Sequence, residues 1–121
     1  LLIGGDAKLA QACRADGVHW PERLTPRARG NAFKLVTGAA HDAAAMTRAS
    51  AAGLDACVLS PIFASRSSSA SDHLGVFRAS QIARSSAIPV IALGGVNAVN
   101  ATRLVGRGFA GIAAVDAFLG A

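Results

Sequence analysis

Apolar positions in this chain fall into two alternating rhythms. Short apolar runs at Leu1–Ile3, Gly17–Trp20, Lys34–Thr37, Ala56–Ser60, Pro89–Leu93 and Gly111–Val115 are too brief for helices. Several are apolar at consecutive positions, the pattern of strands buried on both faces of a parallel sheet. Between them lie segments with helical spacing, at Lys8–Arg14, Asp42–Ala52, Phe77–Arg84 and Val99–Arg107, and one further turn is expected after Pro26. Asp42 is placed to cap its helix, and Ala45, Met46 and Ala49 then form an inward stripe in which Met46 is core filler. Asn97 is placed to cap a helix that buries Ala101, Leu104 and Val105 and ends at Gly108. Repetition of helix, glycine and strand makes the fold α/β with a parallel sheet.

The last third sharpens this. Strand Pro89–Leu93 runs into Gly94-Gly95, where the backbone is free to bend close to a ligand, and a helix and a second strand follow. Such a βαβ unit has a phosphate-binding shape, and in a (β/α)8 TIM barrel the loops after strands seven and eight commonly hold a phosphate on backbone N–H groups. A barrel takes roughly 250 residues. This chain has 121 and begins at Leu1, so the expectation is one partial barrel domain over residues 1–121, with two strand–helix units either preceding Leu1 or replaced by some other closure of the barrel. Gly4, His41, Ser65, Gly94 and Val115 each end or follow a strand, which places them together at the C-terminal rim.

Composition narrows the function classes. The chain is 52% hydrophobic and 16% charged. It lacks an apolar run near the ~18 residues that would span a bilayer. A membrane partner is not expected. No signal peptide is visible, and Cys13 and Cys57 fit no close-spaced metal or redox pattern, which together suggest reduced thiols and a cytoplasmic location. The net charge of +5 raises nucleic acid as a partner, but the ten arginines are scattered and aromatics make up only 5% of the chain. A basic stripe with stacking rings is missing, so a small phosphorylated ligand is the better expectation. A homo-oligomer is left open.

Taken in order and spacing, Ala15-Asp16-Gly17-Val18-His19, Ser60-Pro61-Ile62-Phe63, Leu74-Gly75 and Ile88-Pro89-Val90-Ile91-Ala92-Leu93-Gly94-Gly95-Val96 resemble the thiamine phosphate synthase/TenI family. The resemblance covers nearly the whole chain and matches it to strands three to eight of that family's barrel. It implies an enzyme handling thiazole phosphate. Members either join that thiazole to an activated pyrimidine with magnesium or, in the TenI branch, isomerise it to the aromatic form.

Carried over residue by residue, the resemblance gives phosphate contacts to Gly94 and Gly95, to Ser65 and Ser67, and to Val115 and Asp116. Ser68 stands where the synthases have a lysine, and Asp116 where they have a serine, so the phosphate end has lost a positive charge and gained a negative one. Residues 65–71 also read as a serine-rich surface loop. The metal end departs further. Gly4-Gly5 replaces Asn-Asp, and Leu24 stands at the second metal-ligand position, so no metal ligand is assigned and magnesium enters only under the synthase reading. Asp6 and Glu22 are nearby carboxylates with a surface reading. His41 aligns with the histidine that moves protons in TenI-type enzymes, work suited to a group titrating near neutrality. His19 reads as a packed strand-end residue and His73 as a loop residue. The leading expectation is a TenI-like thiazole tautomerase. Its alternatives are an active synthase with a relocated metal site and a noncatalytic, regulatory relative that binds a phosphorylated ligand or a partner protein.

Overall fold

The computed structural model describes residues 1–64 and 72–115. Six strands, β1 (Leu2–Gly4), β2 (Gly17–Trp20), β3 (Leu35–Ala40), β4 (Ala56–Leu59), β5 (Val90–Ala92) and β6 (Gly111–Ile112), pair in sequence order, every pair parallel. Sequential parallel pairing is the topology of a barrel segment. Among the described residues, three of the five crossovers carry an α-helix: α1 (Ala7–Ala12), α2 (Ala43–Ala52) and α3 (Val76–Ser85).

Local chemistry sets these boundaries. Asp6 and Asp42 cap α1 and α2, their carboxylates accepting from Leu9 N–H at 2.9 Å and Ala45 N–H at 2.8 Å. Gly53 ends α2 in the left-handed conformation, at φ 78°. The stripe expected on α2 is buried as Ala45, Met46, Ala49 and Ala52. It packs on Val36, Ala40, Cys57, Leu59, Val90 and Ala92, with α3 adding Ala79, Ile82 and Ala83. Met46 is 3% exposed, and burying a side chain of that size is worth about 1.5–3 kcal/mol.

The opposite face of the sheet is more open than the sequence pattern suggests. It carries Leu2 and Leu35, both exposed, and His19, Val58 and Ile91, half-buried; Thr37 is the buried polar residue among them.

Three elements differ from expectation. Strand β3 continues to Ala40, where the sequence reading ends it at Thr37. The turn expected after Pro26 lies earlier, as a single 3-10 turn over Glu22–Leu24 that starts at Pro21. The helix expected over Val99–Arg107 contracts to a 3-10 turn at Ala101–Leu104, with Val105 exposed. Its amide side chains explain the contraction: Asn97 Oδ1 accepts from Val99 and Asn100 N–H, and Asn100 Oδ1 from Asn97 N–H, so side chains compete with helical bonding. Farther along, Gly106 and Gly108 take positive φ, and Ser80 Oγ and Arg84 donate to the carbonyls of Arg107 and Gly106.

The connection from β2 to β3 is clamped from below. Arg29 donates twice to Asp55 Oδ2, at 3.0 and 2.7 Å, and to the carbonyls of Gly30, Phe33 and Lys34. Asp55 also accepts from Val36 N–H at 2.7 Å. One ion pair thereby ties the loop to the start of β4 and to β3.

Candidate functional site

Gly94 and Gly95 follow β5 with φ of 103° and 64°, a region costly for any residue with a side chain. Space constrains them as tightly. A Cβ on Gly94 would lie 2.6 Å from Pro61 Cα, and one on Gly95 2.5 Å from the Ala64 carbonyl oxygen. The pair therefore lies flat against residues 61–64, which follow the cis Ser60–Pro61 peptide. Ile62 N–H donates to Leu93 O at 3.0 Å and Phe63 N–H to Gly94 O at 2.9 Å, while Leu74 and Gly75 N–H donate to the carbonyls of Pro61 and Ile62. Asn100 Nδ2 donates to Gly95 O at 2.8 Å, and the Arg103 guanidinium lies 5.2 Å from the centre of the Phe63 ring. Both carbonyls of the glycine pair are thus engaged. Among the described residues, the N–H groups of Gly94, Gly95 and Val96 donate to nothing. Three backbone donors on a loop held by these bonds suit an anion.

Val115 follows β6, the strand paired with β5, and is exposed. Its N–H and that of Ala114 likewise have no acceptor among the described residues. Ser65, Ser67 and Asp116 lie outside the described residues, as does Ser68.

His41 directly follows β3, because Gly38, Ala39 and Ala40 belong to the strand. Side-chain alternation along β3 puts Thr37 and Ala39 on one face, and His41 lies in the bend just past the strand end. Glu22 reaches it from the turn after β2: its Oε1 accepts from His41 N–H at 2.8 Å and from Nδ1 at 3.3 Å. Below this pair, His19 Nδ1 lies 2.8 Å from Thr37 Oγ1, and burial holds His19 below the ordinary histidine range. His41 and Gly94 stand at the ends of strands two apart in the sheet, roughly 10 Å given the spacing of neighbouring strands. Gly4, His41, Gly94 and Val115 therefore share the C-terminal rim, as expected. Sequence reasoning missed Glu22 as the partner of His41 and Asn100 as the holder of Gly95. The turn-forming Asn97-x-x-Asn100 spacing was the available signal for the second.

Magnesium, which the resemblance attaches to synthases, does not fit the carboxylates described here. Gly4, Gly5 and Leu24 offer no side-chain oxygen, Asp6 is committed to capping α1, and Glu22 is committed to His41. Among the described residues no group of three His, Cys, Asp or Glu side chains is placed to hold a metal ion. Nor, among those residues, is any helix long and apolar enough to cross a membrane. Cys13 is exposed and Cys57 buried, and both are free thiols.

Comparison with known proteins gives a consistent result. A family model described as thiamine monophosphate synthase matches residues 1–118. Similar curated proteins include a thiamine-phosphate synthase of Chloroflexus aurantiacus, 33% identical over 100% of this chain and 58% of its own length. Another is a thiamine-phosphate synthase of Methanoculleus marisnigri, 31% identical over 98% of this chain and 59% of its own. Among solved structures, a thiamine phosphate pyrophosphorylase from Pyrococcus furiosus superposes with a TM-score of 0.82 at 26% identity, covering 99% of this chain and 59% of that one. The chain thus spans about three-fifths of the length of these relatives.

Proposed function

The chain belongs to the thiamine monophosphate synthase family, and on that premise we propose that its protein works as a thiamine-phosphate synthase that holds a phosphorylated thiazole at the rim of the sheet. The relatives' names support this reading over a tautomerase. The observation that carries the ligand is the Gly94-Gly95 loop, with its carbonyls engaged and its N–H groups without an acceptor among the described residues. Phosphate oxygens would accept from Gly94, Gly95 and Val96, with the N–H groups of Ala114 and Val115 adjoining. No step of the transfer is assigned to magnesium, since the described carboxylates do not form its site.

A second reading, the thiazole tautomerase, is favoured by the His41–Glu22 pair. With the phosphate on the glycine loop, the ring would extend across the mouth toward β3, and His41 would exchange the proton that shifts the ring double bonds.

One set of assays on the intact protein separates the readings. Product formed from thiazole phosphate, the pyrimidine diphosphate and magnesium upholds the synthase. Isomerisation of the non-aromatic thiazole phosphate alone upholds the tautomerase. Calorimetric binding without either turnover would overturn both in favour of a noncatalytic relative, and absence of binding would overturn the ligand assignment itself.

A further inference from the structure

We infer that Glu22 is a positioning residue that fixes the tautomer of His41, leaving Nε2 as the proton-accepting nitrogen at the rim. A carboxylate can only accept hydrogen bonds, so the 3.3 Å contact from His41 Nδ1 to Glu22 Oε1 puts the ring proton on Nδ1. In the neutral ring the lone pair is then on Nε2, which has no partner among the described residues.

Two features make this arrangement directive. The same Oε1 accepts from the His41 backbone N–H at 2.8 Å, so the carboxylate is anchored to the end of β3 before the ring engages it. Its own backbone is held in turn, since the Glu22 carbonyl accepts from Thr25 N–H at 3.2 Å and from Thr25 Oγ1 at 3.0 Å. The carboxylate therefore acts as a fixed post joining the ends of β2 and β3, with the imidazole resting against it. Use of Nε2 on a thiazole ring rests on the tautomerase reading; the tautomer itself does not.

The test uses 15N-labelled intact protein in mildly alkaline buffer, where long-range proton–nitrogen correlation spectra assign the protonated nitrogen of each histidine. The parent should show His41 with Nδ1 protonated and Nε2 bare. Glu22→Ala should release the ring to a mixture or to the other tautomer, and Glu22→Gln should restore the parent pattern because its amide oxygen still accepts. Isomerisation of thiazole phosphate should fall about 10-fold in kcat with KM unchanged in Glu22→Ala, with recovery in Glu22→Gln. A parent ring protonated on Nε2, or a Glu22→Ala ring identical to the parent's, would overturn the proposal. A tautomer switch without isomerisation in the parent would uphold the positioning role and overturn the tautomerase reading instead. Unchanged signals from His19, which lies beneath the pair, would show that each variant keeps its fold.

Discussion

Gly95 and Ala64 approach so closely that a Cβ on the glycine would stand 2.5 Å from the alanine carbonyl oxygen. The glycine is therefore needed on the side facing residues 61–64, independently of any contact with the proposed phosphate. Gly95→Val should displace both loops, with strain of about 1–3 kcal/mol from the positive φ alone. Thiazole phosphate affinity should fall at least ~10-fold, equivalent to about 1.4 kcal/mol. The melting temperature should drop with it. Calorimetric titration and a thermal melt check the pair; a loss of binding with no loss of stability would show that the contact with Ala64 is easily relieved.

His41→Asn removes a proton-exchanging ring while keeping a polar side chain at the end of β3. Under the tautomerase reading, turnover of the non-aromatic thiazole phosphate should fall by ~10²-fold with little change in binding. Equal rates in variant and parent would remove His41 from the chemistry.

Magnesium should add little to thiazole phosphate affinity, because carboxylates that follow β1, β2 and β3 are already committed, Asp6 and Asp42 to helix caps and Glu22 to His41. Titration with magnesium and with a chelator decides this. A large magnesium-dependent gain would place metal ligands beyond the described residues.

The Arg29–Asp55 clamp predicts a pH dependence of stability. The hydrogen bond from Arg29 holds the Asp55 carboxyl below its ordinary value, and the bond from Val36 N–H adds to this. A carboxyl with a lowered folded pKa contributes stability above its unfolded value, near 3.9, and loses it as pH falls through the folded value. Asp55→Asn should lessen the parent's acid destabilisation in that window. Its cost near neutrality should be about 1 kcal/mol, a discounted figure because the Asp55 side chain is 35% exposed and the pair is screened. Denaturant melts from neutral to acid pH would show the two curves converging.

The two thiols should react at very different rates. Burial pushes the Cys57 thiol up to about 11, whereas Cys13 is exposed. One thiol should titrate quickly with a disulfide reagent in the native protein and the second only on unfolding. Two fast thiols would show that the sheet opens around β4.

Much of the fold could be read from the sequence because its strands and helices obey strong local rules. Asp42 with Ala45, Met46 and Ala49 announces α2, and the apolar run Pro89–Leu93 announces β5. Where side chains bond to backbone instead, as at Asn97 and Asn100, apolar spacing overstates the helix. The end of β3 was hidden by Gly38-Ala39-Ala40, small residues whose strand character comes from pairing with β4. At the site, the glycine loop was visible since backbone donors need only glycine. Glu22 was not, because its partner lies 19 residues away and meets it only when β2 and β3 align.

The hydrogen bonds from Ile62 to Leu93 and from Phe63 to Gly94 carry the sheet's ladder past the strand ends and into the loops. An engineer seeking a new ligand specificity therefore faces one coupled surface. Libraries that randomise 61–64 while leaving 94–95 fixed, or the reverse, should consist mostly of misassembled rims. Productive variants should arise from paired changes, and in natural sequence variation these two short stretches should drift together.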